Sequence, residues 1–388
     1  MISYGRQTID KDDIESVTKI LTSDWLTSGS KVAEFEKKFS HYVGSKYAVT
    51  VNNGTAGLHL TCLAAGLKKN NELITSSLTF VASANCALYC GAKPVFIDVN
   101  DQGLIDENKI KDRITKNTKI IIPVHYAGFP CNLEKIKKLA DKHKLIVIED
   151  ACHALGARYK NSQIGDCKYS NMAVFSFHPV KHITTGEGGM ITTNSKKYYE
   201  KLLMLRNHGI TRDSSKFKVS TYAKASAGRQ SSKLRGVWYY EMQELGFNYR
   251  LTDIQCALGI SQLEKIDKFV KRRREIAMIY NQVFKNNSKI EIIKENKDQF
   301  CAYHLYPIRV KDEKMRFELF NYLKSKDVYC QVHYIPVYWH PYYQKLGYKR
   351  GINLKAEKYY QRVISIPIYP LMKNNEIKYV INIIKEFL

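Results

Sequence analysis

The stretch KIIIPVHYAGFPCNLEKIKKLADKHKLIVIED, residues 119–150, decides the fold. Its opening, KIIIPVH, is apolar and β-branched, as a strand requires. NLEKIKKLADKHK then places apolar residues at helical spacing, with charge on the other face. LIVIED (145–150) returns to an apolar run. Strands that are apolar throughout and joined by a helix indicate a parallel sheet covered on both faces, since a half-wet sheet would alternate. The run ends on Asp150, a carboxylate at a buried strand end, where an unpaired charge is costly.

Working outward, the same order recurs. KYAVTV (46–51) reads as a strand and GTAGLHLTCLAAGL (54–67) as a helix. ELIT and FVASANCALYCG (80–91) repeat the pair, and KPVFIDV (93–99) with DENKIKDRI (106–114) continues it. MAVF is a further strand, and KKYYEKLLMLRNHG a helix. Residues 211–236, TRDSSKFKVSTYAKASAGRQSSKLRG, are polar, Ser-rich and basic, and longer than loops usually run. They suggest a flexible or partner-contacting excursion. From Leu251 onward LTDIQCALGISQLEKIDKFVKRRREIAMIYNQVF reads as one long helix or two, followed by the strand YHLYPIRV and the helix KMRFELFNYLKSK. The expected fold is α/β: a large domain over 1–250 with a mostly parallel sheet flanked by helices, and a smaller C-terminal α+β domain over 251–388. No internal repeat is visible.

A chain of 388 residues accommodates two such units. No apolar run approaches the roughly 20 residues of a bilayer span, and the N-terminus MISYGRQTID lacks a signal-peptide core. The expectation is a cytoplasmic protein. Nine scattered cysteines form no C-x-x-C pair, and an odd count does not suit a closed disulfide framework, so they read as reduced, mostly buried thiols. No metal site is expected. The net charge of +24 raises the question of nucleic acid. The lysines, however, are interleaved with Glu and Asp, as in KVAEFEKKF, and form no isolated block. A nucleic-acid partner is therefore not expected; an anionic small-molecule substrate is compatible with the charge.

In an open parallel sheet, ligands sit beyond the carboxyl ends of the strands. Three segments put reactive or small residues there: VNNGTAGLH, VIEDACHALG and FSFHPVK. Gly54, Thr55 and Ala56 open a helix, whose N–H groups and a hydroxyl make a phosphate cradle; the same residues also simply cap helices. Asp150 needs a cationic partner, either a pyridinium nitrogen or a local Lys or Arg. Lys181 supplies an amine for a Schiff base if its surroundings lower its pKa; otherwise it is a lysine at a turn. Anion site, acid partner and amine are together what pyridoxal 5'-phosphate requires.

On SDWLTSG, NNGTAGLH, TFVASANC, IEDACHALGA, FSFHPVKHITTGEGG and GFNYRLTDIQCALG, the sequence resembles the fold type I, pyridoxal-phosphate-dependent nucleotide-sugar aminotransferases of the DegT/DnrJ/EryC1/StrS family. QVHYIPV and SIPIYP extend the likeness into the C-terminal region. YGRQTIDKDDI, WYYEMQELGFNYRLTDIQCALG and QVHYIPVYWHPYY resemble the branch that makes UDP-4-amino-4,6-dideoxy-N-acetyl-β-L-altrosamine for pseudaminic acid, with L-glutamate as donor to a UDP-linked 4-keto sugar. Segment 211–236 and Ser30, where a proline is common, depart from that branch.

The resemblance implies roles residue by residue. Lys181 holds the cofactor and moves the proton, and Asp150 keeps the ring nitrogen protonated. Phe80 stacks on the ring, unless it is plain core, and His153 sits by the phenolic oxygen, unless it is a hydrogen-bonded interior histidine. Gly54, Thr55, Ala56 and Ser176 hold the phosphate. Asn248 reaches it from a neighbouring subunit, which implies a homodimer with shared active sites. Tyr4, Asp24, Trp25, Leu26, Thr27, His333 and Tyr334 contact the nucleotide sugar, though exposed aromatics at an interface explain them nearly as well.

Three other readings come into question. The first is another nucleotide-linked 4-keto sugar, such as a D-gluco bacillosamine-type product or a dTDP or GDP sugar. The second, a dehydratase of the same fold, carries histidine where the lysine stands; the register here places Lys181 there with His182 one further on, so that reading is rejected. A DNA-binding regulator is suggested by charge alone.

Overall fold

The computed structural model describes residues 1–217 and 238–388. Most of segment 211–236 thus lies outside the described residues. At its centre is a seven-stranded sheet in the order Tyr47–Val51, Gly189–Thr193, Met172–Ser176, Ile146–Asp150, Thr118–Ile122, Glu72–Ser76 and Lys93–Ile97. The last five of these pair in parallel. Gly189–Thr193 runs antiparallel to both its neighbours. The α/β architecture with a mostly parallel sheet is therefore as the strand–helix alternation implies. The antiparallel strand was not expected, because GMITT is buried throughout, as the parallel strands are, and so shows no alternation that would reveal its direction.

The helix Gly54–Ala64 packs on the strands Met172–Ser176 and Gly189–Thr193 and against the helix Ala82–Tyr89. It buries Leu58, Leu60 and Cys62, which explains its apolar character all round. The stretch 106–114 corrects the expected alternation, since it forms only a short 3-10 turn at Lys111–Arg113. Asp106 bonds back to the Asn108 N–H (3.1 Å) and its own carbonyl takes the Lys109 N–H (3.0 Å). These local bonds compete with helix formation.

The 251–284 region forms two helices, Asp253–Leu263 and Ile266–Phe284. The first packs on Lys11–Leu21 and Ser30–Val43. A three-stranded antiparallel sheet, Glu291–Ile292, Tyr306–Arg309 and Val363–Ile366, lies with the helices Glu313–Ser325 and Asn374–Phe387 beyond it. The N-terminal residues reach this region: Ile2 exchanges backbone bonds with Asp327 and Tyr329 (2.8 Å each), and the Tyr4 carbonyl accepts from Ile368 (3.1 Å). All nine cysteines are free and seven are buried. Among the described residues no helix is long and apolar enough to cross a membrane.

Candidate active site

The strands ending at Val51, Asp150 and Ser176 present their carboxyl ends at one edge of the sheet, and the turn between Ser176 and Gly189 crosses that edge. A cavity of about 730 Å³ opens there. The chain must come very close to itself at this point. A Cβ on Gly54 would lie 3.1 Å from both Cys152 Sγ and Ser176 Cβ, and one on Gly189 would lie 2.9 Å from the Asn53 carbonyl. Glycine at these two positions lets the helix start and the strand close on each other.

Lys181 lines the cavity. Burial pushes its amine below the ordinary lysine range, with the nearby Arg273 charge acting the same way and Cys152 and Asp150 opposing it. Among the described residues its Nζ makes no hydrogen bond or ion pair. His182, by contrast, turns into the interior, where its Nε2 meets the Ala302 carbonyl at 3.1 Å. The lysine, not the histidine beside it, faces the cavity, which goes against the dehydratase reading.

Asp150 is only 6% exposed. Its Oδ2 accepts from Ser83 Oγ at 2.6 Å and its Oδ1 from the Cys152 N–H at 3.2 Å. Among the described residues no Lys, Arg or His pairs with it, so the local ion pair that its sequence left open is not what satisfies it. His153 meets Tyr334 Oη through Nε2 (3.2 Å), while its buried Nδ1 has no partner. Its ring lies 4.3 Å from that of His304. Burial, reinforced by the Lys181 charge, holds His153 well below the usual histidine range, so the imidazole is neutral. Burial likewise pushes His333 down to about 3, and its Nδ1 meets Ser365 Oγ at 2.9 Å.

Asn53 caps the helix Gly54–Ala64 by accepting the Ala56 N–H (2.8 Å), so the N–H groups of Gly54 and Thr55 are the ones left for an anion. Phe80 is 58% exposed and lines the cavity, 6.3 Å between ring centroids from Tyr334. It is not core packing.

Of the residues singled out from sequence, the cavity gathers Tyr4, Gly54, Thr55, Ala56, Phe80, Asp150, His153, Ser176, Lys181, His333 and Tyr334. It does not gather Asn248 or residues 24–27. The Leu26 carbonyl accepts the Asp253 N–H (3.0 Å) and Thr27 pairs with Thr252. Trp25 and Leu26 are 65% and 46% exposed. Sequence reasoning missed Thr79, Cys152, His59, His178, Glu187 and Tyr249, all of which line the cavity. All six stand within stretches already singled out, and that adjacency was the available signal.

Fold and site together define a transferase of fold type I. The particular family follows from the sequence: residues 7–385 match the profile of the DegT/DnrJ/EryC1/StrS aminotransferase family, and the chain belongs to it. It is 39% identical over 386 residues to a UDP-4-amino-4,6-dideoxy-N-acetyl-beta-L-altrosamine transaminase of Campylobacter jejuni, covering 98% of this chain and 96% of that one. It is 36% identical over 375 residues to the GDP-perosamine synthase of Escherichia coli O157:H7, covering 96% and 94%. Among solved structures, PseC of Helicobacter pylori, an aminotransferase involved in the biosynthesis of pseudoaminic acid, superposes with a TM-score of 0.89 at 31% identity, covering 100% of this chain and 98% of that one. The PMP form of Spr1654 from Streptococcus pneumoniae gives 0.90 at 27% identity, covering 100% and 99%. The protein is thus an aminotransferase.

Proposed function

We propose that the chain uses pyridoxal 5'-phosphate to move an amino group from L-glutamate to C4 of a UDP-linked 4-keto-6-deoxy-N-acetylhexosamine. The product is UDP-4-amino-4,6-dideoxy-N-acetyl-β-L-altrosamine, on the way to pseudaminic acid. One observation carries the cofactor reading: a buried carboxylate without a cation and a half-buried amine without a partner among the described residues line the same cavity. A protein does not ordinarily leave both uncompensated, and a pyridinium nitrogen and an aldehyde are what each lacks. The residues present therefore fit the group. Gly54, Thr55 and Ser176 would take its phosphate, with Ala56 beside them but its N–H already held by Asn53; Phe80 would take a ring face, Asp150 its ring nitrogen and Lys181 its aldehyde carbon.

Bound there, the cofactor supplies an electron sink for the pair released at the donor carbon. Lys181 Nζ, favoured in its neutral form by burial, takes the proton from that carbon and redelivers it. Asp150 holds the proton on the ring nitrogen. Neutral His153, backed by Tyr334 Oη, takes its place beside the phenolic oxygen. Tyr4, His333 and Tyr334 form the wall offered to the sugar. Asn248 and the segment from Asp24 to Thr27 are assigned to a neighbouring copy's site, in a homodimer with shared active sites. The exposure of Trp25, Leu26 and Phe80 in the single chain supports this. A cytoplasmic location goes with a nucleotide-sugar substrate and is proposed with it. The division at 250/251 is proposed as the domain boundary.

A second reading, another nucleotide-linked 4-keto sugar, is favoured by the GDP-perosamine synthase relative, which is only slightly less similar. Purified enzyme converted with L-glutamate and freed of it separates the two. It is mixed with UDP-linked 4-keto-6-deoxy-HexNAc of the L-arabino and D-xylo series in turn. Recovery of the original cofactor absorbance with the L-arabino sugar alone is the expected result. Recovery with the D-xylo sugar alone, or with a GDP-linked 4-keto sugar, moves the protein to the second reading.

A further inference from the structure

Asp150 is held by more than its own strand. Ser83, on the helix Ala82–Tyr89, reaches it at 2.6 Å, and Ser83 Oγ lies 2.8 Å from Thr79 Oγ1, which lines the cavity. An ionised carboxylate can only accept, so the Ser83 proton goes to Asp150 Oδ2 and Thr79 must donate to Ser83. The direction of the chain Thr79→Ser83→Asp150 is thereby set. Ser83 and Thr79 are buried, so no water competes for these bonds. The second carboxylate oxygen is held by the Cys152 N–H. Two donors from two elements thus fix the carboxylate plane, and a charge-assisted hydrogen bond depends on that alignment.

We propose that Ser83, supported by Thr79, is a positioning residue that aims the Asp150 carboxylate at the ring nitrogen of the cofactor. The inference rests on the cofactor reading given above. It goes beyond that reading by assigning a role to a hydroxyl that does not itself face the cavity.

The test is equilibrium binding to the apo-protein of pyridoxal 5'-phosphate and of its 1-deaza analogue, which keeps the aldehyde and phosphate but has no ring nitrogen. The ratio of the two affinities reads the Asp150 interaction alone. Wild type should prefer the natural cofactor, and Asp150→Asn should lose that preference. Ser83→Ala should lose about tenfold of it, with binding of the deaza analogue unchanged. Ser83→Cys, which fills the same space with a weak donor, should do the same and serves if the alanine variant folds poorly. Ser83→Thr, which keeps the hydroxyl, should restore the preference, and Thr79→Val should lose about twofold to threefold. If Ser83→Ala and Ser83→Cys keep the full preference, or weaken both ligands equally, Ser83 is structural only and the inference is wrong. If wild type itself shows no preference, the Asp150 reading beneath it fails instead.

Discussion

Two buried aspartates in this chain are built almost alike and end differently. Asp13, 1% exposed, accepts from Ser261 Oγ at 2.6 Å and from Gln262 Nε2 at 2.7 Å, and Lys265 closes the arrangement as an ion pair at 2.9 Å. Asp150 also accepts from a serine at 2.6 Å, and then no cation follows. Its sequence neighbour Glu149 is closed as well, by Ser170 and by His125 Nε2 at 2.8 Å. The His125 Nδ1 accepts from the Cys131 N–H, so Nε2 carries the proton and donates. Adjacent strand residues point to opposite faces of the sheet. The carboxylate that keeps a free lone pair is therefore the one aimed at the cavity. A closed network marks a carboxylate that serves the fold, and an open one marks a carboxylate waiting for a ligand.

The comparison breaks most visibly at Lys181. Replacing it by alanine should lower single-turnover transamination by more than about 1,000-fold, since a positioned acid–base group of this kind contributes on that order. Turnover within tenfold of wild type would remove the lysine from its assigned role. Next come the two aspartates themselves. Asp150→Asn should still bind the cofactor, yet turn over about 100-fold more slowly, with no loss of apo-protein stability because an unpaired buried charge has been removed. Asp13→Asn should do the reverse. It leaves kcat near wild type and lowers unfolding stability by about 2 kcal/mol in urea melts, because Lys265 loses its inner partner. Equal effects of the two substitutions on kcat, or equal effects on stability, would erase the distinction between open and closed carboxylates.

The parts of this contrast that could be read without coordinates are those carried by short-range pattern. Asp150 at the end of LIVIED and Lys181 before GEGG declare themselves by context, because a charged residue beside an apolar run is conspicuous. What escaped reading is pairing at a distance. Ser83 stands 67 residues from the carboxylate it holds, and nothing in FVASANC says which helix face meets the strand end. The resemblance names Tyr4, but not the pairing of Ile2 with Val328 that accompanies its place at the cavity. The antiparallel strand Gly189–Thr193 shows no alternation that would set it apart from the parallel strands, because it too is buried on both faces. The stretch 106–114 failed for the opposite reason, since side chains of its own captured the backbone.

The smallest expected effect tests the amine half of the open pair. An unfolded chain holds the Lys181 proton up to the ordinary lysine value of about 10.4, whereas burial lowers that value in the folded chain. Between the two values the unfolded state binds more protons, so stability gained from this group rises with pH and is missing below the folded value. Lys181→Met removes the titration and keeps the side-chain bulk. The apo-protein of wild type should therefore be less stable than the Met variant near neutrality, and the difference should shrink as pH climbs toward 10. Its slope cannot exceed one proton, because a single group is responsible. Tyrosines and thiols that ionise in the same range are common to both proteins and cancel in the difference. A gap that stays constant from pH 7 to about 10 would mean that the amine is held charged by something in the fold, and Lys181 would then belong with Lys265 among the closed pairs.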